Sequence, residues 1–104
     1  MPHEDPKQAA HRALVERILH GPGRAAPDQR AGAFHHTEVP AAVRTLIDKV
    51  VTNSAAITDA DFAATGYSDD ELFELVVCAA VGQSTRLYDA GLAALAEATG
   101  PEHP

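Results

Sequence analysis

Three residue types that can do chemistry fall close together in one stretch, residues 68–100, reading SDDELFELVVCAAVGQSTRLYDAGLAALAEATG. They are two acids, Glu71 and Glu74, a lone thiol, Cys78, and an amide–guanidinium pair, Gln83 and Arg86. A thiolate is a nucleophile, but Glu74 lies one helical turn before Cys78, and a carboxylate on the same face raises a thiol's pKa and weakens it as a nucleophile. Cys78 is the only cysteine, so it has no intrachain disulfide partner, and its expected role is that of a small, buried or half-buried filler. A role as a redox link between subunits is the alternative.

Gln83 and Arg86 fall on an apolar helix face, where a charge is costly unless it is paired. The structural expectation for Arg86 is an ion pair with Glu71, Glu74 or Glu16, or a contact with a helix-end carbonyl. The functional expectation is a carboxylate site built from Arg86, Gln83 and a histidine such as His35. With Glu71 or Glu74 as acid or base, that site would suit a cofactor-free decarboxylase or isomerase acting on a small carboxylated compound.

Other chemistries find little support. Six histidines are present, two of them adjacent at His35 and His36, but neighbours on a helix point about 100° apart and chelate poorly. No metal site and no cofactor are expected. The Gly21-Pro22-Gly23-Arg24 turn lacks the Lys-Ser/Thr ending of a phosphate loop, and no Ser-His-Asp order is present.

These residues must be positioned by a helix. Ser68 and Glu71 have capping-box spacing, and Gly100-Pro101 is a stop signal, so a long central helix is expected near 69–98, with a bend possible at Gly82. Leu72, Leu75, Val76, Ala79, Leu87 and Ala90 share one face, and Phe73, Val77, Val81, Tyr88 and Leu95 form a second. Glu71, Glu74, Cys78, Thr85 and Asp89 form a narrow polar strip between them. At 1.5 Å per residue about 30 residues span about 45 Å, which overhangs a domain of this size, so the second face predicts homo-oligomerisation.

Upstream, apolar spacing predicts a helical pair over 7–36: a first helix over 7–20, then one from Pro27 to about His36 presenting Ala31, Phe34 and His35 inward. A third helix follows Pro40, with Val43, Leu46, Ile47, Val50 and Val51 on one face. A short one starts at Thr58, anchored by Phe62 and closed by Gly66. The class is all-α, a small bundle of about five helices in a single domain spanning 1–104, with flexible termini at 1–6 and 101–104.

The chain has 104 residues, 45% of them apolar but only 5% aromatic, and a net charge of -7. Residues 1–50 carry seven Lys/Arg against six Asp/Glu, and residues 51–104 one against nine. That distribution argues against nucleic-acid binding. No apolar run reaches the roughly 20 residues of a membrane span, and no signal-peptide pattern opens the chain. A soluble, cytoplasmic protein is expected.

The run ITDADFAATGYSDDELFELVVCAAVG, residues 57–82, resembles the alkylhydroperoxidase D-like, or carboxymuconolactone decarboxylase, superfamily, and the likeness extends over a core of about 40–98. The shared pattern is a short helix, a Gly, an acidic capped start and an Ala-rich buried helix. The resemblance implies an all-α fold and assembly as trimers or hexamers. Peroxidase members carry a Glu, a Gly-Cys-x-x-Cys and a His; with Glu71 and Gly82 matched, the two thiol positions are Gln83 and Arg86 and the His position is Ala90. A chain with one cysteine cannot run dithiol peroxidase chemistry. The implied function is therefore a non-redox oligomeric scaffold or small-molecule-binding module.

Overall fold

The computed structural model describes residues 5–99. Among these, every regular element is helical: α1 Pro6–His20, α2 Pro27–His35, α3 Ala41–Thr52, a 3-10 turn Ser54–Ala56, α4 Asp59–Ala63 and α5 Asp69–Thr99. The expected all-α bundle of five helices is what forms.

Local signals set most boundaries. Asp5 caps α1, accepting from the Lys7 N–H at 2.8 Å while the Gln8 side chain accepts from the Asp5 N–H at 3.3 Å. Asp5 and Pro6 thus belong to the helix start rather than to a flexible tail; residues 1–4 and 100–104, including the stop expected at Gly100, lie outside the described residues. Pro27 opens α2, and His36 closes it in the left-handed conformation at φ 53°. Gly66, at φ 74°, makes the turn before α5 that an L side chain would strain. Ser68 and Glu71 form the expected capping box: the Glu71 carboxylate accepts from the Ser68 N–H at 3.0 Å, and Ser68 Oγ accepts from the Glu71 N–H at 3.2 Å.

The core gathers Phe34 and Ala33 of α2, Val43, Leu46 and Ile47 of α3, and Leu72, Leu75, Cys78 and Ala79 of α5, with Ala25 and Val39 from the loops. Helix α5 packs most extensively against α2 and next against α3. It runs through Gly82 without a break, as the single long helix expected. Gly82 serves closeness instead: a Cβ there would fall on the Phe34 carbonyl oxygen, meeting Phe34 C and Cα at 2.6 and 2.9 Å. Helix α1 lies antiparallel to α5, with Ile18 beside Cys78 and His11 beside Thr85.

Phe62 of α4 is 37% exposed and so only partly covered; α4 is held as well by Asp61, whose carboxylate accepts from Lys49 Nζ at 3.0 and 2.9 Å and from the Thr58 N–H at 2.8 Å. The Lys49 and Thr58 bonds keep the Asp61 carboxyl below its ordinary pKa. His35 points outward and is exposed, because it follows the buried Phe34 by one residue, about 100° around the helix.

Candidate functional site

The residues singled out by their chemistry do not converge on one site. Glu71 is occupied by its cap at the start of α5. Arg86 donates from Nη1 to the Phe34 carbonyl oxygen at 2.6 Å and from Nη2 to Gln83 Oε1 at 3.1 Å. It therefore closes the C-terminal end of α2, where the helix dipole favours a cation. Of the structural expectations for Arg86, the helix-end carbonyl is the one found; no carboxylate among the described residues is within ion-pair distance. Gln83 and Arg86 do come together, but His35 is not hydrogen-bonded to either.

A second cluster joins α1, α2 and α5 around a residue that sequence reasoning passed over. Arg30 is only 5% exposed, and its Nη1 donates to the carbonyl oxygens of Ile18 at 3.2 Å and Gly21 at 2.8 Å. It thus closes the C-terminal end of α1 as Arg86 closes that of α2. Its Nε is buried without a hydrogen-bond partner among the described residues. Nearby, Glu74 accepts from the Arg24 N–H at 2.9 and 2.8 Å and from the Ala25 N–H at 2.7 Å. Two successive backbone donors thus bind one carboxylate, ahead of an α2 start that has no side-chain cap of its own.

Partial burial pushes the Glu74 carboxyl up, but the Arg24 and Ala25 hydrogen bonds and the charges of Arg30 and Arg24 outweigh it, so its pKa sits below the ordinary value. A carboxyl with a depressed folded pKa stabilises the fold above its unfolded value, about 4.3, and loses that contribution as pH falls through the folded value. Replacing Glu74 with Gln is expected to cost about 1 kcal/mol at pH 7, less than a buried charged hydrogen bond contributes because solvent screens this partly exposed group. Thermal melts between pH 7 and pH 3 check both parts: the parent should lose stability more steeply below about pH 5 than Glu74→Gln. Parallel curves would refute the role assigned to this carboxylate.

Cys78 does not lie on a polar strip. It is 1% exposed and donates from Sγ to the Ile18 carbonyl at 3.5 Å. Its position between α1 and α2 buries it, whereas the polar-strip assignment followed the neighbours Glu74 and Thr85 along α5. Burial pushes the thiol pKa up, Arg30 opposes that shift and Glu74 adds to it. The thiol is thus both protonated and covered. A bond to another subunit through Cys78 would require α1 to detach.

The pocket over this cluster, between Arg30, Glu74, Cys78, Phe73 and Val77, has a volume of about 170 Å³, below the roughly 300 Å³ at which small-molecule sites begin. A larger open groove of about 640 Å³ lies between the start of α1 and α5, lined by residues including Lys7, His11, Thr85 and Tyr88. Within it the Thr85 hydroxyl donates to the Val81 carbonyl at 2.7 Å, so His11 Nε2, 2.9 Å from Thr85 Oγ1, is the donor to that oxygen. The other histidines among the described residues are dispersed: His36 Nε2 meets Asp48 at 2.9 Å, and His20 and His35 are exposed. Among the described residues no three His, Cys, Asp or Glu side chains are grouped to hold a metal ion, and no helix is long and apolar enough to cross a membrane.

What α5 leaves uncovered is apolar. Phe73 is 70% exposed, Leu87 63%, Tyr88 61% and Leu95 57%. From residue 87 to residue 99 every position of α5 is exposed. Leu87 and Ala90, expected on the core face, therefore lie beyond the end of α2, whose Phe34 meets Gly82 and Arg86. Comparison with known proteins gives no identification: no family model, no curated protein and no solved structure matches the chain.

Proposed function

We propose that this chain is a non-redox helical assembly module, on the plan of the alkylhydroperoxidase D-like superfamily, whose α5 joins copies of the chain into a scaffold. One observation carries the reading: the last 13 residues of α5, 87–99, are helical, and the rest of the chain buries none of them. They span roughly 20 Å, and only the first turns of that length are flanked, across an open groove, by the start of α1. An isolated helix of that length is marginal in water, because nucleation outweighs the bonds gained, and its stability in proteins comes from packing. The radius of gyration, 16.5 Å, against about 13 Å for a compact domain of this length, agrees with an element built to be covered.

Catalysis at the Arg86 cluster finds less support. The guanidinium and the Gln83 amide are committed to Phe34 and to each other, Glu71 and Glu74 are bound to backbone N–H groups, and none of these four side chains is hydrogen-bonded to a histidine. A small ligand of the scaffold would find room in the groove between α1 and α5.

The test is the mass of the chain in solution, alone and as Leu87→Glu. An exposed side chain can be changed at a cost within about 0.5 kcal/mol of fold stability, so the variant should keep its helical spectrum. A charge placed in an apolar interface is expected to weaken association at least about tenfold. A parent chain that sediments as a monomer at micromolar concentration would overturn the reading.

A further inference from the structure

The exposed face of α5 carries a repeat that the core-facing side does not use. Phe73, Val77, Ala80, Ser84, Leu87, Gly91, Ala94 and Ala98 follow one another at intervals of four, three, four, three, four, three and four residues. That is the seam spacing by which two helices pack at a shallow angle. The flanking positions Val76, Tyr88 and Leu95 widen it, and no charged residue from 73 to 98 falls within its roughly 120° sector. The charges of this part of α5, Glu74, Arg86, Asp89 and Glu97, all lie outside that sector.

Sizes along the seam are unequal in an informative way. Reversing the sequence about a point between Ser84 and Leu87 sets Phe73 against Ala98, Val77 against Ala94, Ala80 against Gly91, and Ser84 against Leu87. Each large side chain then meets a small one, and the two smallest meet each other. This interdigitation of unequal residues lets helix backbones approach closely. A parallel pairing instead stacks Phe73 on Phe73 and Leu87 on Leu87, and brings together two copies of the acidic first turn, Asp69, Asp70 and Glu71. It also aligns the two helix dipoles, which the antiparallel arrangement opposes.

We propose that the occupant of this face is a second copy of the chain, α5 against α5 and antiparallel, with a two-fold axis passing between Ser84 and Leu87. This rests on the assembly reading above and names its interface. Phe73, Leu87, Tyr88 and Leu95, at 70%, 63%, 61% and 57% exposed, offer on the order of 500 Å² per copy at the sizes of such side chains. The exposed seam positions Ala80, Ser84, Gly91, Ala94 and Ala98 add to this, towards the roughly 800 Å² per partner of a standard interface. Two-fold pairing makes the building unit a dimer, so a larger assembly contains an even number of copies and a bare trimer is excluded. Along the pair, the projecting end of each α5 lies over the Phe73 end of the other, which places both overhangs on apolar surface.

Two single-cysteine additions test the direction. Ala80 is exposed, and a side chain at Gly91 meets nothing within 4 Å in its own chain, so Ala80→Cys and Gly91→Cys should each fold. The two variants, given different masses by a tag, are mixed and oxidised with oxidised glutathione, with the parent chain and its buried Cys78 as control. The antiparallel pair predicts that the mixed 80–91 disulfide dominates and that each variant alone cross-links little, since like positions lie about 16 Å apart along the axis. Dominant 80–80 and 91–91 products would overturn the arrangement in favour of a parallel pair. An absence of cross-links from a chain that sediments as an oligomer would overturn this interface while leaving the assembly reading intact, and a monomer would overturn both.

Discussion

Replacing Gly82 with Ala is expected to destabilise the fold by about 3 kcal/mol, although the same change on an open helix surface stabilises. Two effects of opposite sign compete. Alanine gains about 1 kcal/mol over glycine in helix propensity. Against this, the new methyl falls on the Phe34 carbonyl, and the next nearest atoms, Phe34 C and Cα at 2.6 and 2.9 Å, are backbone and cannot rotate away. Overpacking of this kind costs about 1–3 kcal/mol or more. Moving α2 outward would also stretch the 2.6 Å bond from Arg86 to the Phe34 carbonyl, a charge-assisted bond worth about 1.5–3 kcal/mol. Loss therefore outweighs gain. Gly91→Ala supplies the control, because its Cβ meets nothing within 4 Å and only the propensity term applies. With both changes made in the Leu87→Glu background, so that association does not enter, the melting temperature should fall by more than about 10 °C for the first and rise by a few degrees for the second. Equal effects at the two glycines would remove the close approach of α2 and α5 as a determinant of the fold.

That contrast also marks where the sequence is readable and where it is not. Capping residues act within one turn, so Ser68 with Glu71 and Pro27 marked helix starts that form as expected. The 3.6-residue period of Val43, Leu46 and Ile47 likewise marked the inner face of α3, and all three are buried. Contacts between distant elements leave no such local trace. Gly82 read as a weak point or hinge of α5, whereas its lack of a side chain answers a carbonyl 48 residues away in sequence. Gly32 of α2 is similar, since a Cβ there would fall on the Glu38 carbonyl oxygen. The only signal in the sequence is a glycine inside a segment that is otherwise firmly helical.

The candidate site was legible in part for the same reason. Arg86 with Gln83 was visible, because a guanidinium and an amide three residues apart on an apolar face are conspicuous. Their partner, a backbone carbonyl at the end of α2, has no side-chain signature. Arg30 escaped notice because α2 has only nine residues, too few turns for an apolar face to define which positions turn inward. Cys78 is the buried filler expected of a lone thiol, but its assignment to the polar strip of α5 fails, since a single-helix reading cannot say where α1 will lie. The pattern common to Arg30, Glu74 and Arg86 emerges only in three dimensions: each charged side chain from one helix satisfies backbone groups at the end of another. In a core with few aromatics, such ties fix the relative position of α1, α2 and α5 where small side chains leave orientation loosely specified.

Arg30 gives the most demanding test of that view, because physical arguments point both ways. Burying a guanidinium with Nε unsatisfied is costly, and exchanging a buried ionic group for an apolar one of similar length can stabilise a protein. Arg30→Met would on that ground be harmless. Three features of the site decide otherwise. Nη1 serves two carbonyls, Ile18 at 3.2 Å and Gly21 at 2.8 Å, at an α1 end where a lost donor leaves acceptors poorly solvated. The Glu74 carboxylate loses a neighbouring cation that contributes to its ionised state. The methionine also brings no new apolar neighbour, as its terminal atoms would lie among backbone oxygens. The expected cost is about 3 kcal/mol, the level seen when one member of a buried charged set is removed, measured by chemical denaturation in the Leu87→Glu background. A double-variant cycle sharpens the result. If Arg30 and Glu74 act on one junction, Arg30→Met with Glu74→Gln should cost less than the sum of the single changes, by about 1 kcal/mol. Additive costs would mean that the two side chains hold their loop independently, and an unchanged stability for Arg30→Met would mean that the orphaned Nε outweighs the two carbonyl bonds.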